Sequence, residues 1–150
     1  MSYRTDEELR AYGRRRVTLA IVLCTLAALA VLVPAGWYIS KKIAANEVLR
    51  EARNTRLAMR YLSLIYEGEG KSMADPSAAD GFSSGTAEQI GTLADVSGQL
   101  YLYAWDDTAG VPLSYTYTSR GFVASYTYDP ATRQSVWHVS YALNMLNFSH

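Results

Sequence analysis

The residues of this chain that could perform acid–base or metal chemistry are few and scattered. His138 lies within a β-type pattern and His150 lies apart from it, and neither has a nucleophile or metal-ligand partner at a recognisable spacing. Asp106 and Asp107 are adjacent on a turn and point in different directions, so they do not pair as acid and base. No glycine-rich phosphate loop joins a strand to a helix. The sequence therefore predicts a protein that is not an enzyme, with no catalytic, cofactor-binding or metal-binding residues.

Three further features limit the chemistry of the chain. The single cysteine, Cys24, lies inside an apolar run, so no internal disulfide is possible. Residues 75–81 resemble a calcium loop superficially but lack its alternating oxygen ligands and terminal Glu, so they predict a turn. The 14 basic and 14 acidic residues balance. No long-range field therefore favours nucleic acid as a partner.

Aromatic residues are the remaining candidates for binding. Tyrosine and tryptophan recur at alternate positions along the carboxy-terminal third, and in a β-meander such residues form cross-strand ladders. They either pack together or against a helix, or they form an exposed face that contacts a protein or stacks on sugars. The candidate binding face consists of Tyr101, Tyr103, Trp105, Tyr115, Tyr117, Tyr126, Tyr128 and Trp137.

The elements that position these rings follow from the periodicity of residues 99–150. β-branched and aromatic residues dominate this region, and turn-forming residues separate its short runs. The side of the sheet that carries Leu100 and Leu102 is apolar, so another element must pack on it and bury it. The pattern predicts a four-stranded antiparallel meander with strands at 99–105, 113–118, 122–128 and 136–143.

An amphipathic helix is predicted upstream, over residues 40–67. Residues 43–66 contain no Pro or Gly, and apolar side chains recur there at a helical period. Val48, Ala52, Met59 and Leu62 form the stripe that we expect to be buried on the sheet, which gives an α+β fold. Residues 68–98 connect the two parts.

A short helix is predicted within this connecting region. A hydroxyl of Ser84 or Thr86 would cap its first turn, and Ile90, Leu93 and Val96 would form its apolar side.

An uninterrupted apolar run over residues 17–39 predicts a transmembrane helix. It would reach roughly 34 Å at about 1.5 Å per residue, enough for a hydrocarbon core of about 30 Å. Basic residues lie at both ends, and two aromatic residues occupy an interfacial position. These membrane-flanking residues are Arg14, Arg15, Arg16, Trp37, Tyr38, Lys41 and Lys42.

Length and flanks favour a retained anchor, although Val33, Pro34 and Ala35 also resemble the end of a cleaved signal. Basic residues are nearly as frequent on one side of the run as on the other, so they do not decide its orientation. The Ser-, Thr- and Tyr-rich segment beyond Arg60 favours an exported domain. We therefore expect a single-pass protein of the cell membrane, with residues 1–16 as a cytoplasmic basic tail and the carboxy-terminal domain extracytoplasmic.

This organisation resembles that of type IV pilins and pseudopilins. The helix is apolar first and amphipathic second, continues through Glu51 to Ala58 as such helices often do, and precedes a four-stranded sheet. The resemblance implies that the helix anchors the subunit and later packs inside a filament, while the sheet faces outward. It also implies self-association, or contact with pilus or secretion assembly proteins, through the amino-terminal helix.

The resemblance is one of architecture, because the pilin leader motif is missing. Gly13 is followed by Arg14, the fifth residue after Gly13 is Thr18, and residues 17–40 contain no acidic side chain. Two hypotheses follow. The chain is a pilin-like structural or assembly protein, or it is a monomeric membrane-tethered module whose aromatic sheet face contacts an envelope ligand or protein.

Overall fold

The computed structural model describes the backbone of residues 6–141 and 147–149, and the side chains of residues 16–141. Within these described residues it contains two helices and five strands. These are α1 (Asp6–Gly68), α2 (Thr86–Ala94), β1 (Gln99–Asp106), β2 (Val111–Ser119), β3 (Phe122–Asp129), β4 (Gln134–Tyr141) and β5 (Asn147–Ser149).

The chain divides into two compact units, Met1–Lys41 and Lys42–His150, and α1 contributes residues to both. The first unit contains the apolar run. Pro34 lies inside α1 without ending it, so the predicted continuation of the helix past this residue is confirmed.

The sheet is an antiparallel meander in which each strand pairs with its neighbours in sequence, in the order β1-β2-β3-β4-β5. The four predicted strands are confirmed. The second and fourth begin earlier than expected, at Val111 and Gln134, and β5 was not anticipated. Residues 142 and 143, the predicted end of the fourth strand, lie outside the described residues.

In the second unit, α1 packs on one face of the sheet, as the periodicity predicts. Val48, Ala52 and Met59 have no exposed surface, and Leu62 is buried with them. Leu100 and Leu102 are buried on the side of the sheet that receives this helix face. Helical spacing in α1 and alternation in β1 therefore each produce one apolar surface, and the two surfaces cover each other.

The predicted cap of α2 is wrong. The residue before the helix is Gly85, at φ 78°, and no side chain caps the first turn. The hydroxyl of Thr86 is buried and pairs at 2.9 Å with that of Tyr66 on α1. Of the expected apolar side only Ile90 is fully buried, because Leu93 is half exposed and Val96 follows the end of the helix.

Residues 75–81 form the predicted turn. The Asp75 carboxylate accepts hydrogen bonds from the amide and hydroxyl groups of Ser77, at 2.9 and 2.6 Å. The Gly81 amide donates to the carbonyl of Ala78 at 3.1 Å and so closes the turn. Gly81 has φ 78°, and a Cβ there would lie 2.0 Å from the Leu102 carbonyl oxygen. Glycine is therefore required where this turn meets β1.

Candidate functional site

The apolar half of α1 is the first candidate site. Its large side chains between Val17 and Ile39 are exposed, and none of the most apolar window is buried within the protein. Among the described residues, α1 is the one helix long and apolar enough to cross a membrane. Inside the run, the Thr25 hydroxyl donates to the Ile21 carbonyl at 2.8 Å, which satisfies its hydrogen bond within the helix. The segment is compatible with a single-pass membrane anchor.

The predicted membrane-flanking residues all lie on α1. Trp37 and Tyr38 are half exposed, and the Lys41 ammonium lies 6.0 Å from the centre of the Trp37 ring. Arg16 and Lys42 are exposed. For Arg14 and Arg15 the structure describes only the helical backbone.

Tyr115 is the central contact between the sheet and the helix. Its hydroxyl donates to the Ala52 carbonyl at 2.6 Å, and the same carbonyl accepts the Thr55 hydroxyl at 2.7 Å. Tyr115 and Thr55 have no exposed surface. Burial raises the pKa of Tyr115 well above its ordinary value. The ring is therefore neutral at physiological pH, and it fixes the position of α1 on β2 through a polar contact inside an apolar layer.

Three aromatic rings of the predicted binding face form a cluster beneath α1. The ring centres of Tyr126 and Trp137 are 4.7 Å apart, those of Tyr115 and Tyr126 are 5.3 Å apart, and those of Tyr115 and Trp137 are 6.0 Å apart. All three side chains are buried. The interpretation that the rings pack together and against the helix is confirmed for this cluster, and the geometry adds aromatic pairing to the buried area.

The eight aromatic residues do not form one exposed face, and that hypothesis is corrected. Tyr117 is fully buried and donates its hydroxyl to Glu51 on α1 at 2.9 Å. Trp105 and Tyr128 are partly buried against the core. Six of the eight rings therefore face the helix. Only Tyr101 and Tyr103 lie on the opposite face of the sheet, with exposed fractions of 37% and 67%.

A β-bulge explains why Trp105 is separated from Tyr101 and Tyr103. The register of β1 against β2 shifts on either side of Ala104, so that Trp105 lies opposite the buried Pro112. An extra residue in a strand reverses the side on which the following residues lie. Strict alternation, the basis of the prediction, therefore fails at the end of β1.

Arg120 forms a clamp that sequence reasoning missed. It lies with Gly121 in the turn between β2 and β3, both at positive φ, as a two-residue hairpin turn requires. Its guanidinium group pairs with Glu47 and Glu51 on α1. The Glu51 carboxylate also accepts the Tyr117 hydroxyl. No local pattern reveals these contacts, because Arg120 and Glu47 are 73 positions apart.

The outward side of α1 is also apolar. Leu57, Tyr61 and Leu64 follow one another at helical spacing, and Leu57 is 68% exposed. We call these three residues the outer ridge. A groove of about 400 Å³ runs beside the ridge, between Leu57 and Tyr61 on one side and Leu93 and Ala94 of α2 on the other. A helix that only covered a sheet would carry polar residues here.

Opposite charges lie on the two sides of the outer ridge. Arg53, Arg56 and Arg60 form the basic flank, and Arg53 and Arg56 lie 5.9 and 4.8 Å above the rings of Trp137 and Tyr126. On the α2 side, a cleft of about 760 Å³ runs along the edge of β1, and its described lining contains no lysine or arginine. The acidic flank consists of the three carboxylate residues of this cleft, Asp80, Glu88 and Asp95.

Comparison with known proteins found no matching family model, no matching curated protein and no matching solved structure.

Proposed function

We propose that this protein is a membrane-anchored structural or assembly protein of pilin-like organisation, which displays a small α+β domain outside the cytoplasm. The observation that carries the proposal is that the two parts of α1 have different surroundings. Its large side chains over residues 17–39 are exposed and apolar, as a membrane segment requires. Its second half provides the helix that completes the core of the sheet domain.

The outer ridge supports an assembly role. An exposed apolar stripe on a helix that already buries its other side marks a surface for further contact. Helix-to-helix association would use this stripe outside the membrane and the apolar run within it. No catalytic role is assigned to His138, which is half-buried in the middle of β4.

The anchor is tested by alkaline carbonate extraction of membranes that contain the full chain. We expect the protein to stay in the pellet at its full mass, because the apolar run is held by lipid and not by charge. Recovery of a soluble chain that begins near Gly36 would identify a cleaved signal and contradict the proposal.

The orientation is tested by labelling with an impermeant maleimide. In a Cys24→Ala background, Ala131→Cys places a thiol at an exposed position in the turn between β3 and β4. We expect it to react on intact cells or spheroplasts, whereas the matched Ser2→Cys variant should react only after permeabilisation. The reverse pattern would place the sheet domain in the cytoplasm.

A second candidate is a monomeric membrane-tethered binding module. The two exposed rings on the free face of the sheet, Tyr101 and Tyr103, favour it, because exposed tyrosines suit contacts with proteins or sugars. Sedimentation of residues 42–150 with isolated envelope material distinguishes the two functions. Binding that Tyr103→Ala abolishes, in a chain that stays monomeric in the membrane, would establish the module and overturn the assembly role.

A further inference from the structure

The charges of this chain are balanced overall but segregated along it. Residues 42–60 hold five basic side chains and two acidic ones, and both acidic ones, Glu47 and Glu51, are already paired with Arg120. Residues 61–110 hold eight acidic side chains against one basic side chain, Lys71, which pairs with Glu69. Complementary charge is therefore present on one molecule but on different surfaces of it.

The basic flank is held in place but is not neutralised. Stacking on Trp137 and Tyr126 restricts the guanidinium groups of Arg53 and Arg56. Among the residues whose side chains the structure describes, no carboxylate forms an ion pair with Arg53, Arg56 or Arg60. These groups are ready to pair with carboxylates supplied from outside the chain.

The two flanks lie on opposite sides of the outer ridge. The basic flank contacts β3 and β4 through Tyr126 and Trp137, whereas the acidic flank borders β1 at the other side of the meander. Leu57 and Tyr61 of α1 line one groove together with Leu93 of α2, so α2 lies beside α1. This is the acidic side, because α2 carries Glu88. A surface with positive charge, an apolar centre and negative charge thus runs across the helix.

The flanks also overlap in level along α1 and agree in spacing. The hydrogen bond of Thr86 with Tyr66, and the groove that Leu93 lines with Leu57 and Tyr61, place α2 alongside residues 57–66 of α1, a segment that overlaps the basic flank. Arg53 and Arg60 are about 10 Å apart along α1, and Glu88 in the first turn of α2 is separated by a similar distance from Asp95, which follows the helix. If α1 of one copy lay parallel to α1 of the other, the basic flank of one and the acidic flank of the other would lie within about one helical turn of each other in level.

We propose that the outer ridge and basic flank of α1 form a docking surface for a second copy of this chain, which contributes its acidic flank. The inference rests on the proposed function, because anchoring in one membrane would bring copies of the chain together on the same side of it. Burial of Leu57, Tyr61 and Leu64 would supply the attraction, and pairing of the arginines with Glu88 and Asp95 would set the register.

The test uses two full-length copies with different epitope tags, expressed together and extracted in mild detergent. One variant reverses the basic flank by Arg53→Glu with Arg60→Glu. The other reverses the acidic flank by Glu88→Lys, Thr92→Lys and Asp95→Asn, where Asn is tolerated at the left-handed backbone of that position. Each variant paired with itself should co-purify about tenfold less partner than wild type does, because like charges then meet.

The decisive experiment co-expresses the two charge-reversed variants with each other. The altered basic flank of one copy, now negative, then faces the altered acidic flank of the other, now positive. Co-purification should therefore return to within about threefold of wild type. A misfolded variant would not recover in this way. The control, Thr118→Glu with Thr127→Glu, adds negative charge to the opposite sheet face and should leave co-purification unchanged.

The outcomes separate this interface from the proposed function. Failure of wild-type copies to co-purify would contradict both. Co-purification of wild type that survives each reversal would overturn the interface and leave the assembly role standing. A loss in both variants that mixing does not restore would also overturn the pairing of these two flanks.

Discussion

The two faces of the sheet use the same kind of side chain for different purposes. On the face that α1 covers, Tyr115, Tyr117 and Tyr126 are buried, and the hydroxyls of Tyr115 and Tyr117 bond to groups on the helix. On the other face, Tyr101 and Tyr103 are exposed. Tyrosine content therefore does not identify a binding surface, because the partner of the ring decides whether it is core or surface.

The largest expected effect contrasts one aromatic residue from each face. Trp137→Ala should lower the free energy of unfolding of residues 42–150 by about 3–5 kcal/mol, because it removes a buried ring that contacts Tyr115 and Tyr126. Tyr103→Ala should cost about 1 kcal/mol or less. Urea midpoints compared at equal slope measure both. Equal shifts would show that the two faces do not differ as described.

A second contrast concerns the two sides of α1. Met59→Ala should cost about 2–5 kcal/mol, because it leaves a cavity under the helix. Leu57→Ala, on the outer ridge, should cost about 0.5 kcal/mol in the isolated fragment. The same urea titration checks both values. A large loss from Leu57→Ala in the monomeric fragment would mean that the ridge already has an intramolecular partner.

A third experiment examines the polar contact within the core. Tyr115→Phe keeps the ring but removes the hydrogen bond to Ala52, so we expect a loss of about 1–2 kcal/mol near neutral pH. Thermal or urea unfolding measures it. The exposed counterpart Tyr101→Phe should be neutral, and a stabilised Tyr115→Phe variant would contradict the contact.

The same residue predicts how stability depends on alkaline pH. The pKa of Tyr115 is raised in the folded state by burial, whereas its ordinary value is 10.0. Below pH 10 its contribution is complete. Above pH 10 the unfolded chain loses the proton that the folded chain retains, so stability should fall by up to about 1.4 kcal/mol per pH unit. Urea midpoints measured above pH 10 should fall less steeply for Tyr115→Phe, and an identical slope would refute this.

The smallest effect is expected at the clamp. Arg120→Ala breaks pairs with Glu47 and Glu51 that are partly exposed, so we expect a loss of about 0.5–1 kcal/mol that decreases in high salt. Urea midpoints at low and high salt check this. Lys71→Ala breaks an exposed pair with Glu69 and serves as the control. A salt-independent loss would assign the role of Arg120 to packing of its alkyl chain.

Local patterns predicted much of the architecture. The period of Val48, Ala52, Met59 and Leu62 identified the buried side of α1, and alternation at Leu100 and Leu102 identified the covered side of the sheet. Both succeed because a helix or strand that buries one face repeats its apolar residues at its own period. Alternation failed at Trp105, where a bulge interrupts the period, and the cap of α2 failed because Thr86 bonds to Tyr66 instead.

The sequence by itself determined the apolar run, the helix that continues it and the meander, because each depends on neighbours within a few positions along the chain. Only the tertiary structure decided which tyrosines are core, that Arg120 reaches Glu47, and that the basic and acidic flanks lie on opposite sides of the outer ridge. These arrangements depend on how distant segments meet. Residues far apart in sequence become neighbours only through the packing of α1 and α2 on the sheet. Local periodicity does not predict those contacts.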